Sequence, residues 1–196
     1  IAENQFEKGI EYAKKALLIK NYPDEDRYSV MLHLDISDAY LKLNNTSLNK
    51  LHLDTAIQLN ANINNVQVNT LVLNSEGHYY DIARDFQASL KAYLKAYAIA
   101  DSVNNEYLEA EVGANVARIY LKLGNTTAAE QYALESNTTA IKLKQYKVAA
   151  STYNTLKEIA VQKQDFRKAY RYAELNKSYT DSASNIETKN NILNLE

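Results

Sequence analysis

One short pattern recurs five times along this chain at a constant interval of 40 residues. It is clearest in Asp85-Phe86 with Ser89, Tyr93 and Ala96, in Asn125-Thr126 with Ala129, Ala133 and Ser136, and in Asp165-Phe166 with Ala169, Ala173 and Asn176. The same step backwards reaches Asn45-Thr46 with Asn49, Leu53 and Ala56, then Gln5-Phe6 with Gly9, Ala13 and Ala16. A fixed period of this size, free of insertions, implies stacked supersecondary units that bury their apolar faces against one another.

Each register lies between two segments of helical period, so the unit reads as a helical hairpin. The chain has only 4 Gly and 1 Pro in 196 residues, too few turn formers for a β-sandwich or an α/β domain. Tyr40, Tyr80 and Tyr120 recur upstream of the turn, with Ser37, Gly77 and Ala117 three residues before them. Small residues facing large rings let two helices approach closely. Downstream, Gly9, Asn49, Ser89, Ala129 and Ala169 form a second small or short series. Gly124 suits the left-handed conformation that ends a helix, and Asn45, Asp85, Asn125 and Asp165 can N-cap the next helix. Pro23-Asp24 marks another helix start.

Helices are therefore expected near 5–20, 25–43, 46–60, 66–83, 86–102, 105–123, 126–143, 147–163 and 166–180. The first is expected to be the second half of a hairpin whose first half is missing or lies upstream. Residues 182–196 leave the period and are expected to form a separate capping or linker helix after a repeat domain spanning 1–181. A polar terminal cap is what a solenoid needs for solubility. Because the chain opens on Ile1 rather than Met, it reads as a piece of a larger protein.

At 46% hydrophobic and 23% charged, the composition is that of an ordinary folded domain. With 22 Lys and Arg against 24 Asp and Glu, no basic excess exists to neutralise phosphates, which argues against nucleic acid as a partner. The absence of Cys removes disulfides, thiolate metal sites and Cys nucleophiles. No apolar run reaches the roughly 18 residues that a membrane span requires.

No catalytic constellation is evident: there is no G-x-S-x-G, no phosphate-cradling Gly loop and no H-E-x-x-H. His33 falls at a core position and reads as a satisfied, partly buried imidazole, and His52 reads as a surface residue. Asn74, His78 and Asp81 share one helix face through their spacing. Two metal ligands of suitable type are too few for a metal site, so polar lining is the expectation there and no cofactor is implied. Glu109 with Glu111, and Asp24 with Glu25 and Asp26, read as solvated helix-start charges that favour the N-terminal dipole. The tyrosines read as packing rather than a base-stacking platform.

Leu123-Gly124-Asn125 followed by Ala129, like Arg84-Asp85-Phe86 followed by Ala96, resembles the tetratricopeptide pattern of small, aromatic and alanine positions. The resemblance covers essentially the whole chain. The usual unit has about 34 residues, so the longer period here implies longer helices, as in the long-repeat proteins of bacterial sensing. HEAT and armadillo units approach this length but lack the Tyr-(x)₃-Gly/Asn-Asn/Asp turn. The implied fold is an all-α, right-handed solenoid of about four and a half helix-turn-helix repeats plus a C-terminal capping helix.

The resemblance implies a non-catalytic domain that binds peptide or protein in a concave groove lined by the first helix of each hairpin. Carrying over the family's inner positions gives Met31, Leu34, Asp38, Leu41 and Lys42; Leu71, Asn74, His78, Asp81 and Ile82; Glu111, Ala114, Arg118, Leu121 and Lys122; and Ser151, Asn154, Glu158, Val161 and Gln162. Of these, Asp38, Asn74, His78, Asp81, Glu111, Arg118, Asn154 and Glu158 are the candidate ligand contacts. The family's carboxylate clamp is not expected, because Asp38 and Glu111 stand where cations would be needed, among Leu34, Ser75 and Asn115. Tyr179-Thr180-Asp181-Ser182, with Asn185, Lys189 and Leu195-Glu196 beyond it, resembles the end of the sensor region in Bacteroidetes signalling proteins. That likeness implies a periplasmic input domain whose parent carries a membrane helix after residue 196 and a histidine kinase or LuxR-type output. The alternative is a constitutive scaffold, cytoplasmic and without signalling output.

Overall fold

The computed structural model describes residues 2–21, 23–63 and 65–193. Among them are nine helices and no strand: α1 (Ala2–Ala16), α2 (Glu25–Lys42), α3 (Thr46–Asn60), α4 (Val66–Ile82), α5 (Phe86–Ser102), α6 (Glu106–Lys122), α7 (Thr126–Lys142), α8 (Tyr146–Gln162) and α9 (Phe166–Leu193). This is the all-α solenoid type expected.

The 40-residue period resolves into two steps of 20, each a 17-residue helix and a three-residue turn from α4 to α8. The turn explains the regularity. Its middle residue is left-handed every time: Asn44, Arg84, Asn104, Gly124, Lys144 and Gln164 have φ between 52° and 79°. The residue after it donates its backbone N–H to a carbonyl five residues back, as in Asn45 to Tyr40, Asn105 to Ala100, Asn125 to Tyr120 and Asp165 to Ala160, all at 2.9 Å. That bond closes one helix in the Schellman manner. The same residue's side chain then opens the next helix, Asn45 accepting from Leu48 N, Asn105 from Leu108 N, Asn125 from Ala128 N and Asp165 from Lys168 N at 3.0–3.2 Å. One residue thus ends a helix and begins its successor. Gln145 departs from this: its side chain makes no cap and donates instead to Tyr107 O at 3.0 Å. Asp24 also differs, being itself left-handed with φ 58° and making no side-chain cap.

Two helix ends differ from expectation. α1 stops at Ala16 rather than near 20, tightening through Leu18 N to Lys15 O and Ile19 N to Ala16 O bonds. α9 does not break at 181 but runs on to Leu193, with 194–196 outside the described residues. Thr180 and Ser182, at the expected break, fold their hydroxyls back onto the helix. Thr180 Oγ1 donates to Asn176 O and Ser182 Oγ to Ser178 O, which leaves the backbone helical.

Contacts divide the chain into two units, residues 1–85 with α1–α4 and residues 86–196 with α5–α9. In the first, Val30, Leu34, Leu53, Ala56, Val68 and Val72 form the core. In the second, the helices meet over alanine: Ala110, Ala140 and Ala149 in one layer, Ala117, Ala133 and Leu156 in the next, and Leu121, Ala129 and Ile159 in a third. The small series does what its spacing predicts, for Ser37, Gly77, Ala117, Asn49, Ser89, Ala129 and Ala169 are all buried. Gly9 is the exception: it is exposed, and a Cβ there would meet nothing within 4 Å. Tyr40, Tyr80 and Tyr120 are half-buried rather than central, whereas Tyr93 is the largest fully buried side chain.

Candidate functional site

Within the first unit α2 packs on α4, and within the second α6 packs on α8. Within each unit, the first helices of these hairpins are therefore neighbours. Several residues expected in those rows are instead core: Leu34, Leu41, Ala114 and Leu121 are buried. Apolar groups at these positions pack against neighbouring helices, so the accessible lining is narrower and more polar than the spacing alone suggested.

In the first unit, Asp38 on α2 is exposed to solvent at its edge yet crowded by surrounding protein. Loss of bulk water raises its carboxyl above the usual value, with Lys42 opposing and Asp35 adding to the effect. The Asp35 carboxyl is raised by the same crowding. On α4, Asn74 and His78 are half-buried and Asp81 is buried at 8% exposure, on the shared face that their spacing predicted.

In the second unit, Arg118 Nη2 on α6 donates to Asn115 Oδ1 at 3.2 Å and reaches the buried Tyr93 hydroxyl at 3.5 Å. One arm of the guanidinium is thus held by its own helix and by the core below it. Glu111 is half-buried on the same helix. On α8, Lys157 Nζ donates to Asn154 Oδ1 at 2.7 Å, and Asn154 Nδ2 donates to Glu158 Oε1 at 2.8 Å. This brings two of the expected contacts together in one amine–amide–carboxylate strip, and Lys157 joins it unforeseen. The strip carries an amine, an amide and a carboxylate along one helix.

Two depressions of the first unit lie elsewhere, against α3. One of about 460 Å³ is lined by Thr46, Ser47, Lys50, Leu51, Asp54 and Tyr79. The other, of about 580 Å³, is lined by Ile57, Asn60, Ala61, Asn62, Ile63 and Asn69. Neither contains an expected ligand contact. Among the described residues no group of three or more His, Asp or Glu is placed to hold a metal ion, and no helix is long and apolar enough to cross a membrane.

The histidines hold a feature that sequence reasoning missed. His52 is half-buried rather than a surface residue, and its Nδ1 lies 2.9 Å from Nδ1 of His33. Tyr40 stacks on the His52 ring at 5.7 Å, as Tyr120 stacks on Tyr132 at 5.7 Å two periods along. By the same register His33 and His52 correspond to Tyr153 and Tyr172, whose rings lie 6.0 Å apart. The repeat was the available signal: two histidines stand where a later hairpin pairs two tyrosines.

This arrangement defines the molecule as an α-solenoid of tetratricopeptide type. The chain is similar in fold to a signal-transduction ATPase with a tetratricopeptide repeat sensor from Pyrococcus horikoshii, with TM-score 0.73, 22% identity, and 93% of this chain against 28% of that one. It is likewise similar to BtubC from P. vanneervenii, with TM-score 0.71, 19% identity, and 92% of this chain against 72% of that one. The apo form of RapI gives TM-score 0.72 at 16% identity, covering 92% of this chain and 65% of that one. The chain thus spans little more than a quarter of the ATPase and about two thirds of RapI. No family model matches the chain, and no curated protein matches it in sequence.

Proposed function

We propose that this chain is a non-catalytic domain that binds an extended peptide or protein segment along the outward rows of its first helices. The reading is carried by the Lys157–Asn154–Glu158 strip on α8, with Arg118 held by Asn115 on the neighbouring helix α6. Amides bonded to charges of both signs suit a polypeptide backbone better than a small apolar ligand. In its fuller form, the domain is the ligand-sensing input region of a bacterial signalling protein, periplasmic and anchored in the membrane beyond residue 196. Its output would be a histidine kinase or a transcriptional regulator. The likeness to an ATPase carrying a tetratricopeptide repeat sensor supports that class of role.

Binding is tested by probing the purified chain with an array of unstructured peptides of mixed sequence. Asn154→Ala with Glu158→Ala should weaken the best peptides about tenfold, roughly 1.4 kcal/mol, with an unchanged melting temperature. Unaltered binding by this variant and by His78→Ala would place the contact off these helices. The signalling role is tested by the coding sequence after Glu196. A membrane helix followed by a kinase or DNA-binding domain supports it, whereas a stop codon there favours a scaffold.

A further inference from the structure

The His33–His52 contact has a protonation limit built into it. At 2.9 Å the two Nδ1 atoms must share a proton, one nitrogen donating and the other accepting. A neutral pair satisfies this, and so does a pair carrying one extra proton. When both imidazoles are protonated, two N–H groups face each other and the contact is lost.

The surroundings make that second proton costly. His52 carries Tyr40 against one face, and Lys14 of α1 donates from Nζ to the Tyr40 hydroxyl at 2.9 Å. Among the described residues Lys14 is the charged group acting on the pair, and it is a cation. Asp35 lies two positions past His33, about 200° around the helix and so on its far side. Burial pushes both imidazoles below their usual value, with His33 and Lys14 adding to the effect on His52.

Helix α1 meets this neighbourhood through Lys14, whose Nζ also lies 5.4 Å from the centre of the Tyr40 ring. It packs on α2, with Ile10 buried and Phe6, Ala13 and Ala16 half-buried, while Tyr12 is exposed. The later hairpin places Tyr153 and Tyr172 at the corresponding positions, a pair without an imidazole.

We propose that the His33–His52 pair is a proton-operated latch, holding α1 on the α2–α3 hairpin and releasing it when both imidazoles are charged beside Lys14. The direction follows from linkage. Groups bound less tightly by protons in the docked state than in the open one stabilise docking fully above 6.5, the ordinary imidazole value. That stability is lost as pH falls through their lowered values. Asp35 and Asp38, raised by crowding, act in the opposite sense and cannot produce a loss in acid.

Hydrogen exchange of the full chain tests the latch, with rates corrected for the intrinsic effect of pH. Between about pH 7.5 and 5.5, protection of α1 amides should fall about tenfold while α6–α8 stay protected. A variant carrying His33→Tyr and His52→Tyr should lose that dependence. Should that variant fail to fold, the imidazole resonances of the unaltered chain decide, since a shared proton requires two coupled titrations, the second of them below the ordinary value. Independent titration at the ordinary value, undiminished α1 protection in acid, or the same loss in the tyrosine variant would each overturn the latch.

Discussion

Ser37 and Asn49 clasp each other across the α2–α3 hairpin while both are buried, at 1% and 2% exposure. Ser37 Oγ donates to Asn49 O at 3.0 Å, and Asn49 Nδ2 donates to Ser37 O at 3.0 Å and to Ser37 Oγ at 2.8 Å. Two periods along, the same two positions are Ala117 and Ala129, also buried. Thus one repeat closes its crossing with hydrogen bonds and another with bare contact. Asn49→Ala should cost about 2–3 kcal/mol, from the lost bonds and the space left behind. Adding Ser37→Ala should cost less than the two single changes summed, with a coupling of about 1 kcal/mol in a double-mutant cycle by urea denaturation. Strict additivity would mean the bonds contribute nothing beyond their parts.

The left-handed turn positions offer a second test. Gly124 adopts φ 79° without cost, whereas Lys144 and Arg84 hold φ 58° and 61° against their own Cβ atoms. Gly124→Ala should destabilise by about 1 kcal/mol. Lys144→Gly should stabilise by about 0.5 kcal/mol, the backbone entropy of glycine offsetting part of the relief. Thermal melts of the two variants should move in opposite directions.

Gly113 is a close-approach glycine inside α6. A Cβ there would run into Ser136 Oγ and lie 3.1 Å from Tyr97 Cε2. Tyr97 has little room to yield, since its ring meets Tyr132 edge-on at 5.3 Å and its hydroxyl donates to Glu109 Oε1 at 3.1 Å. Gly113→Ala should therefore destabilise by about 1–3 kcal/mol despite alanine's better helix propensity. A gain in melting temperature would show that the α5–α6–α7 contact is looser than these distances imply.

Asp38 gives a pH-dependent prediction of known sign. Its carboxyl is raised by crowding, so the folded chain holds that proton more tightly than the unfolded one. Its charge therefore costs stability at neutral pH, and the cost fades as pH falls through the raised value towards 3.8. Asp38→Asn should stabilise at pH 7 by no more than about 0.5 kcal/mol, because solvent still reaches the group. The gain should vanish in acid, which pH-stepped urea melts would show.

The helices and their turns were legible in the sequence because their causes are local. A cap joins residues three apart, and a Schellman bond joins residues five apart. Asn125 carries both instructions in one side chain and one N–H, as do Asn45 and Asp165. The capping roles of Asn65 and Asn105 were equally local and equally available, with Asn65 accepting from Val68 N at 3.0 Å. The break expected at 181 followed the end of the repeat period, but Thr180 and Ser182 bond to the preceding turn and the helix continues through it.

The candidate contacts were legible only as a face. Spacing put Asn154 and Glu158 on one side of α8, but bonding between them and the entry of Lys157 needed side-chain positions. Asp81 shares its face with Asn74 and His78 yet is buried, because burial depends on the neighbouring helix rather than on the residue's own spacing.

By itself, then, the sequence determined the period, the helical hairpins and the small residues at their crossings, all of which arise from interactions within a few residues or from a repeat. Tertiary structure alone decided that His33 meets His52, that Ser37 clasps Asn49 and that Arg118 is tied to Tyr93. Those pairs are 19, 12 and 25 residues apart. Their meeting depends on how deeply one helix settles against the next, and that depth is set by the packing of whole side chains, which no local pattern encodes.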